Sequence, residues 1–212
     1  NLDDDNARLS GHETITYTNN SPDVLKYLWV QLDQNRRKKD SKTPLIETSG
    51  VVEAQLASSF SNEYLSKPFE GGFNIVSVQD SKGNPLPHMI NRTMMRIELP
   101  EPLISKETFS FDIKWWYNIN DHVNGRGRSG YEYFPEDGNR AYVIAQFFPR
   151  MAVYSDVEGW QNSQFWGRDE FALPFGDYEV NITVPADHIL DGTGRLMNRK
   201  EVFSKTMIKR FN

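Results

Sequence analysis

Residues 109–117 read F-S-F-D-I-K-W-W-Y. Successive side chains of an extended chain point to opposite faces. Phe109, Phe111, Ile113, Trp115 and Tyr117 therefore share one face, and Ser110, Asp112 and Lys114 share the other. This period of two marks a half-buried strand, and the pattern recurs outward from it. Residues 12–19, H-E-T-I-T-Y-T-N, alternate in part and run into the turn signal Asn19-Asn20-Ser21-Pro22-Asp23. Residues 178–184 set Tyr178, Val180, Ile182 and Val184 against Glu179, Asn181 and Thr183, and Pro185 closes the run. Residues 24–32 are apolar on both faces and read as a strand covered on both sides.

Residues 73–78 and 89–99, separated by a turn at 80–85, read as a β-hairpin with a longer loop. Ile189-Leu190 opens a short strand, and residues 203–211 make a last one. Between these elements, residues 33–43 are polar and basic and read as a long exposed loop. Residues 51–65 lack strand alternation, and their Ala, Glu, Gln and Leu content allows one short helix. Residues 118–139 form a long loop with four glycines. Loops longer than about 12–15 residues are usually functional or disordered. Tyr131, Tyr133 and Phe134 argue that this one is docked. The expected fold is all-β, an open curved (saddle-like) sheet or a sandwich with at most one short helix, and residues 1–212 read as a single β-domain.

Composition agrees with that reading. Aromatic residues make up 13% of the 212 residues, which suits sheets better than helical bundles. The formal net charge is −5, and the basic residues are dispersed apart from Arg36-Arg37-Lys38-Lys39. A nucleic-acid partner, which calls for a basic face, is not expected. There is no cysteine, which removes disulfides and thiolate metal sites and fits an exported protein that needs no bridges. No apolar run approaches the roughly 20 residues of a membrane helix, and the opening residues do not read as a signal peptide, which says nothing about a leader on a longer parent. The chain opens at Asn1 and ends within the pattern of residues 203–211, which reads as a piece of a longer protein.

Few motifs carry chemistry. The four histidines are His12, His88, His122 and His188. His12-Glu13-Thr14-Ile15-Thr16 opens like H-E-x-x-H but lacks the second imidazole, and it lies in a strand rather than on a helix. Asp3-Asp4-Asp5-Asn6 lacks the glycine and distal glutamate of a calcium loop and reads as a solvated turn. Gly125-Arg126-Gly127-Arg128 has the guanidiniums to hold an anion, although a mobile surface loop explains it more simply. Glu132, Glu136, Asp137, Asp156, Glu158, Asp169 and Glu170 cluster in sequence, but a glycosidase pair needs a defined separation across a cleft. Trp115-Trp116 and Trp160/Trp166 offer a sugar-stacking platform, with core packing as the competing use. The sequons at Asn91 and Asn181 fall in expected strands and read as chance matches.

The most informative polar residue lies in Y-V-I-A-Q-F-F-P-R-M-A-V-Y-S-D, residues 142–156. The run begins as an apolar strand, breaks at Pro149 and resumes. Gln146 sits inside the first half and Arg150 at the break. An unpaired buried polar group costs on the order of 1–3 kcal/mol, so such residues either lock a loop or face a pocket.

Several segments together resemble a known family: L-S-G-H-E-T-I-T-Y-T-N-N-S-P-D-V-L at 9–25, A-Q-F-F-P-R-M-A-V-Y-S-D at 145–156, G-W-Q at 159–161, and E-F-A-L-P-F-G-D-Y-E-V-N-I-T-V-P-A-D-H at 170–188. They resemble the amino-terminal domain of the aminopeptidase N-like (gluzincin) zinc metallopeptidases, especially their bacterial branch. The resemblance covers most of the chain. It implies a saddle-like β-domain packed against a separate catalytic domain of the same parent chain, where H-E-x-x-H and the zinc reside. No zinc ligand or catalytic residue carries over to this chain, so no cofactor is expected in it. The family's amino-terminal domain also supplies a Gln or Glu that meets the free amino end of the peptide substrate, and Gln146, ten residues before Asp156, is the matching position. The expected role is therefore a non-catalytic wall of an aminopeptidase cleft. A carbohydrate-binding β-sandwich and a purely structural interaction domain are the alternatives.

Overall fold

A computed structural model describes residues 1–43, 57, 69–122, 128–167 and 172–211. In chain order its strands are β1 (Leu2–Asp3), β2 (Arg8–Thr18), β3 (Leu25–Gln31), β4 (Asn74–Asp80), β5 (His88–Asn91), β6 (Met94–Leu103), β7 (Thr108–Asn118), β8 (Gly130–Phe134), β9 (Asn139–Val143), β10 (Arg150–Met151), β11 (Tyr154–Ser155) and β12 (Gly159–Trp160). Two short helices follow, α1 (Arg199–Val202) and α2 (Lys205–Phe211). The fold is all-β. One antiparallel sheet has the order β1-β2-β7-β4 and a second the order β10-β3-β6-β5, and β8-β9 and β11-β12 form separate pairs. Residues of both larger sheets share one hydrophobic cluster, a sandwich-like arrangement.

Strand β7 is the axis of the first sheet. It pairs with β2 without a bulge, from Arg8 opposite Asn118 to Thr18 opposite Thr108. Its inner face carries Phe111 and Ile113, both 0% exposed, with Trp115 and Tyr117 beside them. The outer face is a polar ladder in which Thr14 Oγ1 donates to Asp112 Oδ1 at 2.5 Å and the Thr16 and Ser110 hydroxyls meet at 2.9 Å. His12 lies on this outer face, 3.3 Å from Asp112 Oδ1. The alternation expected for residues 109–117 and 12–19 is therefore the observed one. From the second sheet, Leu28 and Val30 of β3 and Met95 and Ile97 of β6 close the core, all fully buried.

One inner position of β2 is glutamate. Glu13 stands opposite Ile113, and its Oε1 and the Trp115 Nε1 are both buried without a hydrogen-bond partner of normal geometry. Burial pushes the Glu13 carboxyl up to about 8, an effect that the neighbouring indole offsets only in part. Where a carboxyl's folded-state pKa exceeds its unfolded one, unfolding releases a proton between the two values. Its contribution to stability is thus complete below the ordinary glutamate range and is lost as pH rises to about 8. Glu13→Gln is expected to remove this slope and to raise the unfolding free energy at pH 8 by on the order of 3 kcal/mol, with little change near pH 4. Urea titrations at the two pH values measure it.

Elsewhere the structure departs from the sequence reading. Residues 73–78 and 89–99 do not pair with each other: β4 joins β7, while the second run folds back on itself as the hairpin β5-β6. Asp80 Oδ1 caps the intervening turn by accepting from Lys82 N and Asn84 N, and the chain then crosses to the other sheet. Residues 118–139 are not a loop throughout, because β8 pairs with β9. Tyr131 packs against the core, but Tyr133 and Phe134 are exposed. Residues 178–184 belong to no sheet and are exposed for most of their length, tied to β1 by a bond from Leu2 N to Thr183 O at 2.9 Å. Ile189-Leu190 is likewise exposed and outside any strand. Residues 203–211, expected as a strand, contain α2. The two helices exceed the one short helix expected, and the segment given to that helix, 51–65, lies outside the described residues apart from Ala57.

The largest departure concerns residues 33–43. Asp33–Arg37 forms a 3-10 turn whose first three residues, Asp33, Gln34 and Asn35, are 2–3% exposed. The start of an apparently solvated loop is thus a buried polar knot, and only further along are Lys39, Asp40 and Lys42 exposed. Among the described residues, no helix is long and apolar enough to cross a membrane.

Candidate functional site

The chain leaves β9 at Val143, turns irregularly through 144–149 and re-enters the second sheet as β10, with Arg150 opposite Gln31 and Met151 opposite Val30. Pro149 is fully buried and has no N–H to offer a ladder, so pairing begins only after it. Arg150 is the cation at the break. Its Nη2 donates to Asp33 Oδ2 and, at 3.3 Å, to Gln31 Oε1. Burial raises the Asp33 carboxyl, and the Arg150 guanidinium pulls it back down in part. The other Asp33 oxygen, Oδ1, is buried without a partner.

Gln146 occupies the bend before this joint with a φ of 53°. Positive φ is uncommon outside glycine and asparagine, so the surroundings must hold it. Ser129 Oγ accepts from Ala145 N at 2.8 Å and donates to Ala145 O at 2.6 Å. Gln34 Nε2 donates to Ala145 O at 3.1 Å and to Gln146 O at 3.0 Å. Arg37 Nη1 in turn donates to Gln34 Oε1 at 3.0 Å. The glutamine that locks the loop is thus Gln34. Gln146 itself is half-buried, and among the described residues nothing hydrogen-bonds its side-chain amide. Sequence reasoning missed Gln34 because its neighbours are charged; the signal lay in Gln34-Asn35, two consecutive side-chain amides beside an apolar strand.

The other candidates are scattered. Glu132, Glu136, Asp137, Asp156 and Glu158 are all exposed, while Asp169 and Glu170 lie outside the described residues. Residues 123–127, which include most of the glycine-arginine stretch, also lie outside them. Asp4 is more than part of a solvated turn: it accepts from the Tyr142 hydroxyl at 2.6 Å and lies 3.4 Å from Arg140 Nη1 and 3.8 Å from His188 Nε2. Among the described residues, no three His, Cys, Asp or Glu side chains gather as metal ligands.

The tryptophans do not form a platform. Trp115 is 4% exposed, and Trp116 lies on the opposite face with the Arg8 guanidinium 4.2 Å above its ring. Trp160 packs against Tyr17 and Tyr154, and Arg92 covers Trp166 at 5.5 Å. The sequon at Asn91 sits at the β5-β6 turn rather than within one strand, and its Thr93 is buried with its hydroxyl bonded to Gln164 Oε1 at 2.8 Å.

In comparisons with known proteins, no family model matches the chain, and no curated protein matches it significantly.

Proposed function

We propose that this chain is a non-catalytic β-domain of a zinc aminopeptidase, forming one wall of the cleft and meeting the free amino end of the peptide through Gln146. The observation that carries the reading is the backbone at Gln146. A left-handed glutamine is held rigidly by Gln34 and Ser129, while its own amide keeps its hydrogen-bonding capacity. Strained, over-determined residues cluster at ligand sites, and an amide oxygen accepts from an ammonium group. The second support is the sequence resemblance, in which Gln146 matches the residue that meets the substrate amino end. In this reading, zinc and the proton-transferring groups belong to the parent's catalytic domain, and the peptide and that domain are the partners.

Two outcomes are expected. The purified chain releases no chromophore from an aminoacyl p-nitroanilide, with or without added zinc; turnover that tracks the purified chain would overturn the assignment. In the parent enzyme, Gln146→Ala raises KM for a dipeptide substrate by about tenfold, the scale of one hydrogen bond to a charged group, with a smaller change in kcat. An unchanged KM removes Gln146 from the site.

A further inference from the structure

The 3-10 turn does the same thing twice. Gln34 and Asn35 are adjacent and buried. Gln34 Nε2 donates to the carbonyl of Gln146, and Asn35 Nδ2 donates at 2.7 Å to the carbonyl of Arg92. Gln146 and Arg92 are both non-glycine residues with φ of 53°. The turn is therefore a common support for two left-handed residues far away in sequence. Among the described residues, Ala7 and Lys106 are the other non-glycine residues with positive φ, and the hydrogen bonds there run between backbone groups.

From this we infer that Gln34 is the positioning residue of Gln146: its two-pronged amide holds the Ala145-Gln146 peptide in place, and Arg37 fixes which way that amide faces. This inference rests on the reading of Gln146 as an amino-end anchor and deepens it. Gln34 Oε1 accepts from Arg37 Nη1, so its amide nitrogen is left to face the loop carbonyls. A residue in a sparsely populated backbone well stays there only while its neighbours over-determine it. Loss of the Gln34 donors leaves the Gln146 carbonyl without its side-chain partner and Ala145 O with Ser129 Oγ alone, and the chain relaxes toward a negative φ. The Gln146 side chain then leaves the direction in which it meets a ligand, although Gln34 itself touches no peptide.

The test uses isotope-labelled chain 1–212 and alanyl-alaninamide as the probe, with its N-acetyl form for comparison. A positive φ brings the amide proton and Hα of one residue close together, giving a strong intraresidue NOE at Gln146. In Gln34→Met, which keeps the side-chain length but has no donor, this NOE is expected to weaken to the level of its neighbours. Affinity for the free-amine dipeptide is expected to fall about fivefold, the scale of a lost hydrogen bond. The amide shifts of Phe111 and Ile113 report whether the core is intact. If Gln34→Met does not fold, Arg37→Met gives the same readout and Arg37→Lys, which keeps a cationic donor, restores the NOE. An unchanged Gln146 NOE in a folded variant overturns the inference. If the wild-type chain binds the free-amine and acetylated dipeptides equally, the anchor reading fails, and the NOE still decides whether Gln34 holds the bend.

Discussion

Arg150→Ala is expected to lower the unfolding free energy by about 3–5 kcal/mol at pH 7, the cost of leaving one member of a buried ion pair alone. The Arg150 side chain is 14% exposed and that of Asp33 only 2%. With Arg150 gone, Asp33 keeps neither its counter-charge nor the donor to Oδ2, and its Oδ1 already lacks a partner. The Asp33 carboxyl stands above its ordinary value even with the guanidinium beside it, and removing Arg150 moves it higher. Its charge-dependent contribution to stability is then complete only below the ordinary aspartate range and is lost as pH rises. The deficit of the variant should therefore shrink toward pH 4. Paired replacement, Asp33→Asn with Arg150→Met, is expected to recover most of the loss, since exchanging both partners leaves no buried charge. Urea unfolding at pH 7 and pH 4 checks all three statements. A single variant as stable as the wild type would mean that water reaches Asp33.

Phe73→Ala is expected to cost a similar amount, about 3–5 kcal/mol. Phe73 is 2% exposed and meets Trp115 and Tyr117 edge-on, with both ring centroids 5.4 Å away. Edge-to-face pairs add about 0.5–1.5 kcal/mol each beyond burial. The residue also connects core and knot, because its N–H donates to Asn35 Oδ1 at 2.8 Å. Phe73→Leu retains the backbone bond and most of the apolar volume, and about half of the loss is expected from it. Thermal melts of the two variants separate the ring contacts from the cavity. A loss under about 1 kcal/mol for Phe73→Ala would show that the site collapses without penalty.

How far the sequence reached differs between particular elements. The inner and outer faces of β7, from Phe111 and Ile113 to Asp112 and Lys114, were legible residue by residue, because a period of two is imposed by the geometry of one extended chain. Alternation says nothing about which strand lies alongside. By alternation alone the runs at 73–78 and 89–99 read as one hairpin, whereas the sheets place the first beside β7 and fold the second on itself. Residues 178–184 show the same limit: Tyr178, Val180 and Ile182 alternate as a strand should, yet they lie exposed outside either sheet.

The site divides along the same line. Gln146 and Arg150 stood out because a polar residue in an apolar run must be satisfied somewhere. Their partners could not be read from spacing, since Gln34 reaches Gln146 across 112 residues and Arg150 reaches Asp33 across 117. The sequence alone determined an all-β chain and which face of its central strands is dry. Tertiary structure alone decided that Asp33, Gln34 and Asn35 are buried, because a polar side chain enters a core only where distant backbone groups and an opposite charge are already in place to receive it.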